Sequence, residues 1–239
     1  MVREIRFISS WAIVNFIVDN PIDWSDRDLA GLGGPGDRAH PEQVTPMVEM
    51  WLRLLNLERG LFTQAEYAEY FFRELSPWPL NVKDALFTPE QLKEGVRAKL
   101  YRNVYPSMVD HIYAFALLSE SSIFKSIDYD TDADVTKKLD IVLTRHDDRH
   151  LGLALRAGTM RAKWYGGYKN TFRGCPIAPF PVMTIELPMK RRGPRSRGAG
   201  NKRWYVLEDF KEAIDWAKEG GWHGPIAAWP SDTMSSGVR

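Results

Sequence analysis

Between Pro41 and Leu57 the apolar residues Val44, Met47, Val48, Trp51, Leu54 and Leu55 recur at steps of three and four. That is the period of a helix with one buried face. Two start signals follow. In TQAE (63–66), Thr63 and Glu66 form the S/T-x-x-E capping box, which predicts a helix through Leu75. In TPEQ (88–91), Thr88 is the cap, Pro89 the first helical residue and Gln91 its partner three positions on, so a helix runs toward Tyr105. SPWPLN breaks the chain between them. Pro106 and Ser107 start a further segment, SMVDHIYAFALL, whose apolar faces are broad enough for burial. Residues 1–40 show no such pattern. They contain DLAGLGGPGDRAHPEQ, rich in punctuating Gly and Pro, and are expected to be an irregular opening segment.

The texture changes after Ser122. IFKSIDY, KKLDIVLTR and HLGLALRA are short apolar-rich runs parted by the polar turns DTDAD and HDDR, which predicts three strands of a meander. TMRAKWYGGYKNTF reads as helix-prone despite two glycines. PVMTIELPM and RWYVL read as further strands, and LEDFKEAIDWAKEG as a helix with Phe210, Ile214 and Ala217 on one face. Helices followed by β-β-β-α-β-β-α predict an α/β fold: a central mixed sheet flanked by helices in 88–239, behind a helical N-terminal region in 1–87.

Composition narrows the function classes. A chain of 239 residues can build a substantial core. Its net charge of +1 gives no global attraction to polyanions, so a nucleic-acid reading needs a local patch. The single cysteine, Cys175, excludes an intramolecular disulfide framework and points to a reducing, cytoplasmic setting. RGCPIAP brings it no histidine to activate a thiol. The apolar run near the N-terminus is too short and too polar to span a bilayer. GLGGPG lacks the Lys and Ser/Thr of a phosphate loop and reads as an ordinary turn.

Chemistry concentrates in DYDTDADVTKKLDIVLTRHDDRHLGLALR (128–156). A calcium loop starting at Asp128 has oxygen ligands at its first, third and fifth positions. It then meets Ala133 where glycine is needed and Leu139 where the bidentate acid is needed, so an acidic turn is the better reading. HDDRH sets His146 and His150 around two acids, a zinc-like composition placed where a hairpin turn is expected.

A strand bearing Asp140, a turn and a strand bearing Ala154 and Arg156 resemble the PD-(D/E)xK, or restriction-endonuclease-like, superfamily. The resemblance covers roughly Glu90 to Gly220. It places Asp140 at the first motif position, Ala154 at the second acid and Arg156 at the lysine, with thirteen residues between Asp140 and Ala154. It implies a DNA endonuclease in which Asp140 holds Mg²⁺ and Arg156 stabilises phosphate charge. Alanine cannot bind a metal, so the second carboxylate must come from elsewhere: from Asp128 on the adjacent strand, or from Glu94, Asp110 or Glu186. Otherwise the chain is a non-cutting, nuclease-like subunit of a larger complex.

Two segments carry candidate phosphate contacts. Arg161, Lys163 and Lys169 are interleaved with Trp164, Tyr165 and Tyr168, a mixture that suits backbone contact and base stacking or an amphipathic helix. Lys190, Arg191, Arg192, Arg195, Arg197, Lys202 and Arg203 put seven cations in fourteen residues without an acid. Removing them would leave the remainder at about −6. Such a loop suits a nucleic-acid backbone, DNA first, or an acidic protein partner. The expectation is therefore a nucleic-acid-binding, nuclease-like protein used in defence against foreign DNA or in DNA processing.

Overall fold

The computed structural model describes residues 8–22, 41–57, 60–75, 88–129, 139–157, 180–187 and 204–219. The first element, α1 (Ser10–Asp19), corrects the irregular reading of the opening segment. Ser9 caps it by accepting from the Ala12 N–H at 3.2 Å, and Ile13 and Ile17 are fully buried. α2 (Pro41–Leu57) and α3 (Gln64–Glu74) form where the period placed them. Both anticipated capping boxes close. Thr63 N–H donates to Glu66 at 2.6 Å and Thr88 N–H to Gln91 at 2.8 Å, each satisfying a donor that the helix start leaves open.

α4 (Pro89–Lys99) does not stop before Pro106. It passes through a π turn, Leu100–Val104, into α5 (Tyr105–Glu120). Pro106 has no N–H for the carbonyl four residues earlier, and a wider turn absorbs that mismatch. Gln64 Nε2 donates to the Tyr101 carbonyl at 2.9 Å, tying the π turn to α3.

Four strands form one mixed sheet in the order β1 (Ser126–Asp128), β2 (Ile141–Thr144), β3 (His150–Ala157) and β4 (Val182–Leu187). β1–β2 and β2–β3 are antiparallel and β3–β4 is parallel. The three-strand meander and the strand within PVMTIELPM agree with the apolar runs read from the sequence. RWYVL is not a strand. Trp204, Tyr205 and Val206 lie outside the sheet and lead into a 3₁₀ turn, Leu207–Phe210, and then α6 (Lys211–Glu219). Trp204 packs on Tyr113 with ring centroids 4.6 Å apart, and Tyr205 on Phe210 at 5.3 Å. The segment is apolar because it is buried, and burial alone does not create a ladder.

Ile141, Leu143, Leu151, Leu153, Met183 and Ile185 are buried on one face of the sheet. They join α1 to α6 in one apolar cluster from Ile13 to Trp216. Within it Trp51, Phe62, Tyr67 and Tyr105 form an aromatic knot with centroids 4.9–6.3 Å apart. A smaller cluster of Leu139, Phe180 and Val182 lies on the opposite face. The protein is thus a mixed α/β protein, with a four-stranded mixed sheet among the described residues.

Candidate functional site

Asp140 sits immediately before β2 and is 8% exposed. Its own N–H donates to the Leu153 carbonyl at 2.8 Å, although Ile141 is the residue registered opposite Leu153. Two residues therefore oppose one, which defines a β-bulge. The alternation of side chains is reset there. Leu139 touches the Gly152 position, and Val142 is the direct partner of Gly152, so residues three apart share one face. Asp140 and Ile141 then both belong to the other, core-packed face.

The contacts of Asp140 agree with that placement. One carboxylate oxygen, Oδ2, accepts the backbone N–H of Leu155. The other, Oδ1, lies 3.5 Å from His111 Nε2 on α5. Both side chains are nearly enclosed, and the ring of Tyr129 stands 6.2 Å from that of His111. The bulge denies Leu155 a regular ladder acceptor, and the carboxylate takes its place. Nothing in the local sequence announced His111 as the partner. It lies twenty-nine positions earlier, on α5.

Three of the four acids proposed to assist Asp140 are exposed: Asp128, Glu94 and Glu186. Asp128 is registered with Val142, which puts it on the Gly152 face, away from the Asp140 carboxylate. It is exposed and accepts from Ser126 Oγ at 3.0 Å. Ala154 belongs to the Gly152 face as well, two residues along β3, with Thr184 as its neighbour on β4. Glu186 is exposed on β4, opposite the backbone of Arg156. Three strand spacings separate β1 from β4, about 14 Å, so Asp128 and Glu186 cannot share one ion. Glu94 is exposed on α4 and pairs with Arg97 at 3.5 Å, and Asp110 is buried on α5 next to His111.

Mg²⁺ is held by one or two carboxylates together with several waters in near-octahedral geometry. The residues around Asp140 do not fit that demand. The carboxylate is enclosed, its oxygens face a backbone N–H and a histidine, and Ala154 lies on the far face. Among the described residues no three His, Cys, Asp or Glu side chains converge as a metal-holding group.

The HDDR segment is the β2–β3 turn. Arg145 N–H donates to the Arg149 carbonyl at 2.9 Å, and Asp148 takes the left-handed conformation (φ 65°) that Asp tolerates. Its acids are engaged by cations. Arg145 Nε donates to Asp147 at 2.6 Å and holds that carboxyl down to about 2, and Asp148 pairs with Lys125. His146 and His150 are exposed, and His150 Nδ1 lies 3.1 Å from Thr144 Oγ1. Arg161, Lys163, Lys169, Cys175 and the basic run Lys190, Arg191, Arg192, Arg195, Arg197, Lys202 and Arg203 lie outside the described residues, as does the Arg156 side chain.

No family model matches this chain, and neither the curated proteins nor the solved structures searched contain a match. Among the described residues no helix is long and apolar enough to cross a membrane.

Proposed function

We propose that this protein binds nucleic acid, DNA first, through a restriction-endonuclease-like core that does not cut. It would work in the cytoplasm as a subunit of a larger assembly in defence or DNA processing. The observation that carries the non-cutting part is the Asp140 carboxylate, enclosed between Leu155 N–H and His111 with Ala154 on the opposite face. The strand order, two antiparallel pairs followed by a parallel one, supports the mixed α/β sheet that this reading requires. Seven cations between Lys190 and Arg203 support binding to a phosphate backbone.

The test is fluorescence anisotropy with a random-sequence duplex over a salt series, beside cleavage assays on DNA and RNA with Mg²⁺ or Mn²⁺. Binding that weakens steeply with salt, without cleavage, is expected. Cleavage that Asp140→Ala abolishes would replace this reading with a metal-dependent nuclease. No binding to DNA or RNA at low salt would leave a protein-interaction module.

A further inference from the structure

We infer that Asp140 is a conformational clamp: it holds the β2–β3 bulge to α5, and its carboxylate serves no metal. The inference goes beyond the nucleic-acid reading and stands whether or not DNA binds. The bulge consumes one residue of β2 and turns the Asp140 side chain to the core face. There the carboxylate does what a ladder carbonyl would have done for Leu155 N–H, and its second oxygen reaches His111 on α5. One side chain thereby joins three segments: the start of β2, the middle of β3 and the helix beneath them. Buried donors are costly to leave unpaired, and hydrogen bonds to ionised groups are the stronger ones. Both oxygens are already engaged, Oδ2 by the Leu155 N–H and Oδ1 by the histidine, so a metal there would compete with the contacts that hold the bulge to α5.

The same geometry constrains the acid missing at Ala154. Because the bulge sets Asp140 and Ala154 on opposite faces, supplying a carboxylate at Ala154 does not complete a site with Asp140. In a regular hairpin the two positions would face each other, and the substitution would build one.

The experiment uses the full chain without nucleic acid. Mn²⁺ binding is followed by isothermal titration calorimetry and unfolding by circular dichroism, for the wild type, Asp140→Asn, Asp140→Ala, His111→Gln and Ala154→Glu. Asp140→Asn and Asp140→Ala should lower the melting temperature in that order of severity, the alanine variant by roughly 3–10 °C. His111→Gln combined with Asp140→Asn should cost less than the sum of the two single changes, because both break one contact. Mn²⁺ affinity should be weak and change by less than about twofold between wild type and Asp140→Asn, and Ala154→Glu should gain no tighter site. A wild-type Mn²⁺ site lost in Asp140→Asn would overturn the inference. So would a gain in Mn²⁺ affinity in Ala154→Glu, or an unchanged melting temperature in both Asp140 variants. If Ala154→Glu fails to fold, the comparison of wild type with Asp140→Asn decides the matter by itself.

Discussion

Leu139 packs its side chain over Gly152: a methyl group placed on that glycine would stand 2.8 Å from Leu139 Cδ2 and 3.3 Å from a ring carbon of Phe180. Leu139 is almost completely enclosed, so its side chain has little room to retreat. Gly152→Ala should therefore destabilise the protein by about 1–2 kcal/mol through overpacking, measured by urea unfolding. Leu139→Ala creates the missing space. The double variant should recover part of the loss, giving a non-additive cycle. An additive cycle would mean that Leu139 is not what fills the space above Gly152, and with it would go the evidence that the bulge resets the strand.

That relationship also marks what could be read from the residues in advance. Helices with a strong three-to-four period and a capping box were legible because both signals are local: Thr63 with Glu66, and Thr88 with Gln91. The hairpin was legible because HDDR interrupts two apolar runs. α1 was not, since SWAIVNFIVD is apolar almost all round and has no stripe to betray its period. Trp204–Val206 has the composition of a strand but lies outside the sheet, because strand formation depends on a neighbour far along the chain. The bulge at Asp140 was illegible for the same reason. It depends on Leu139 meeting Gly152 and on a histidine from α5.

Two buried tyrosines predict alkaline sensitivity. Tyr67 Oη donates to the Met47 carbonyl at 2.6 Å and Tyr105 Oη to the Phe62 carbonyl, both inside the aromatic knot. Burial holds both phenols protonated, well above their ordinary value. In the unfolded chain they ionise near pH 10, roughly. As pH rises the unfolded state loses its protons first. The stability these groups contribute is complete below about pH 10 and is lost between there and their raised folded values. Each should remove about 1.4 kcal/mol per pH unit in that window. A Tyr67→Phe/Tyr105→Phe variant should start less stable, with two carbonyls deprived of donors, but show a shallower decline from pH 10 to 11 in urea titrations. An equal slope in both proteins would contradict the assignment.

α1 is attached by its first residue. Ser10 donates to Glu120 from its backbone N–H at 2.7 Å and from its hydroxyl at 2.6 Å. Glu120 ends α5 and places a negative charge at the start of α1, where helix dipoles and open N–H groups favour one. Glu120→Ala should cost roughly 1 kcal/mol or less at this exposed position. Its effect should be local: limited proteolysis should quicken around α1 before global unfolding changes. Uniform quickening across the chain would show that α1 is not held as a separate unit.

Arg145 predicts how the hairpin turn is held to the last helix. Its guanidinium lies 5.6 Å from the Trp216 ring centroid, and Nη1 donates to the Trp216 carbonyl at 3.2 Å while the rest of the fork engages Asp147. Planarity and several donors are both in use, which an ammonium cannot reproduce. Arg145→Lys should therefore lower the melting temperature nearly as much as Arg145→Ala. A lysine variant that melts like the wild type would show that charge alone suffices and that the stacking on Trp216 is incidental.

The basic run offers the sharpest test of nucleic-acid binding, because counterion release counts contacts. If all seven cations between Lys190 and Arg203 meet phosphates, log K should fall with log salt at a slope of about −6 for a duplex. Replacing Arg191, Arg192 and Arg195 by serine should reduce the magnitude of that slope by about 3, and should weaken binding to all duplex sequences alike. A change confined to particular sequences would assign these arginines to base edges. An unchanged slope with intact binding would move the phosphate contacts to Arg161, Lys163 and Lys169, where the same substitution and titration can be repeated. Loss of slope in neither set would leave the chain's cations to an acidic protein partner, since a solvated phosphate backbone cannot be gripped without releasing its ions.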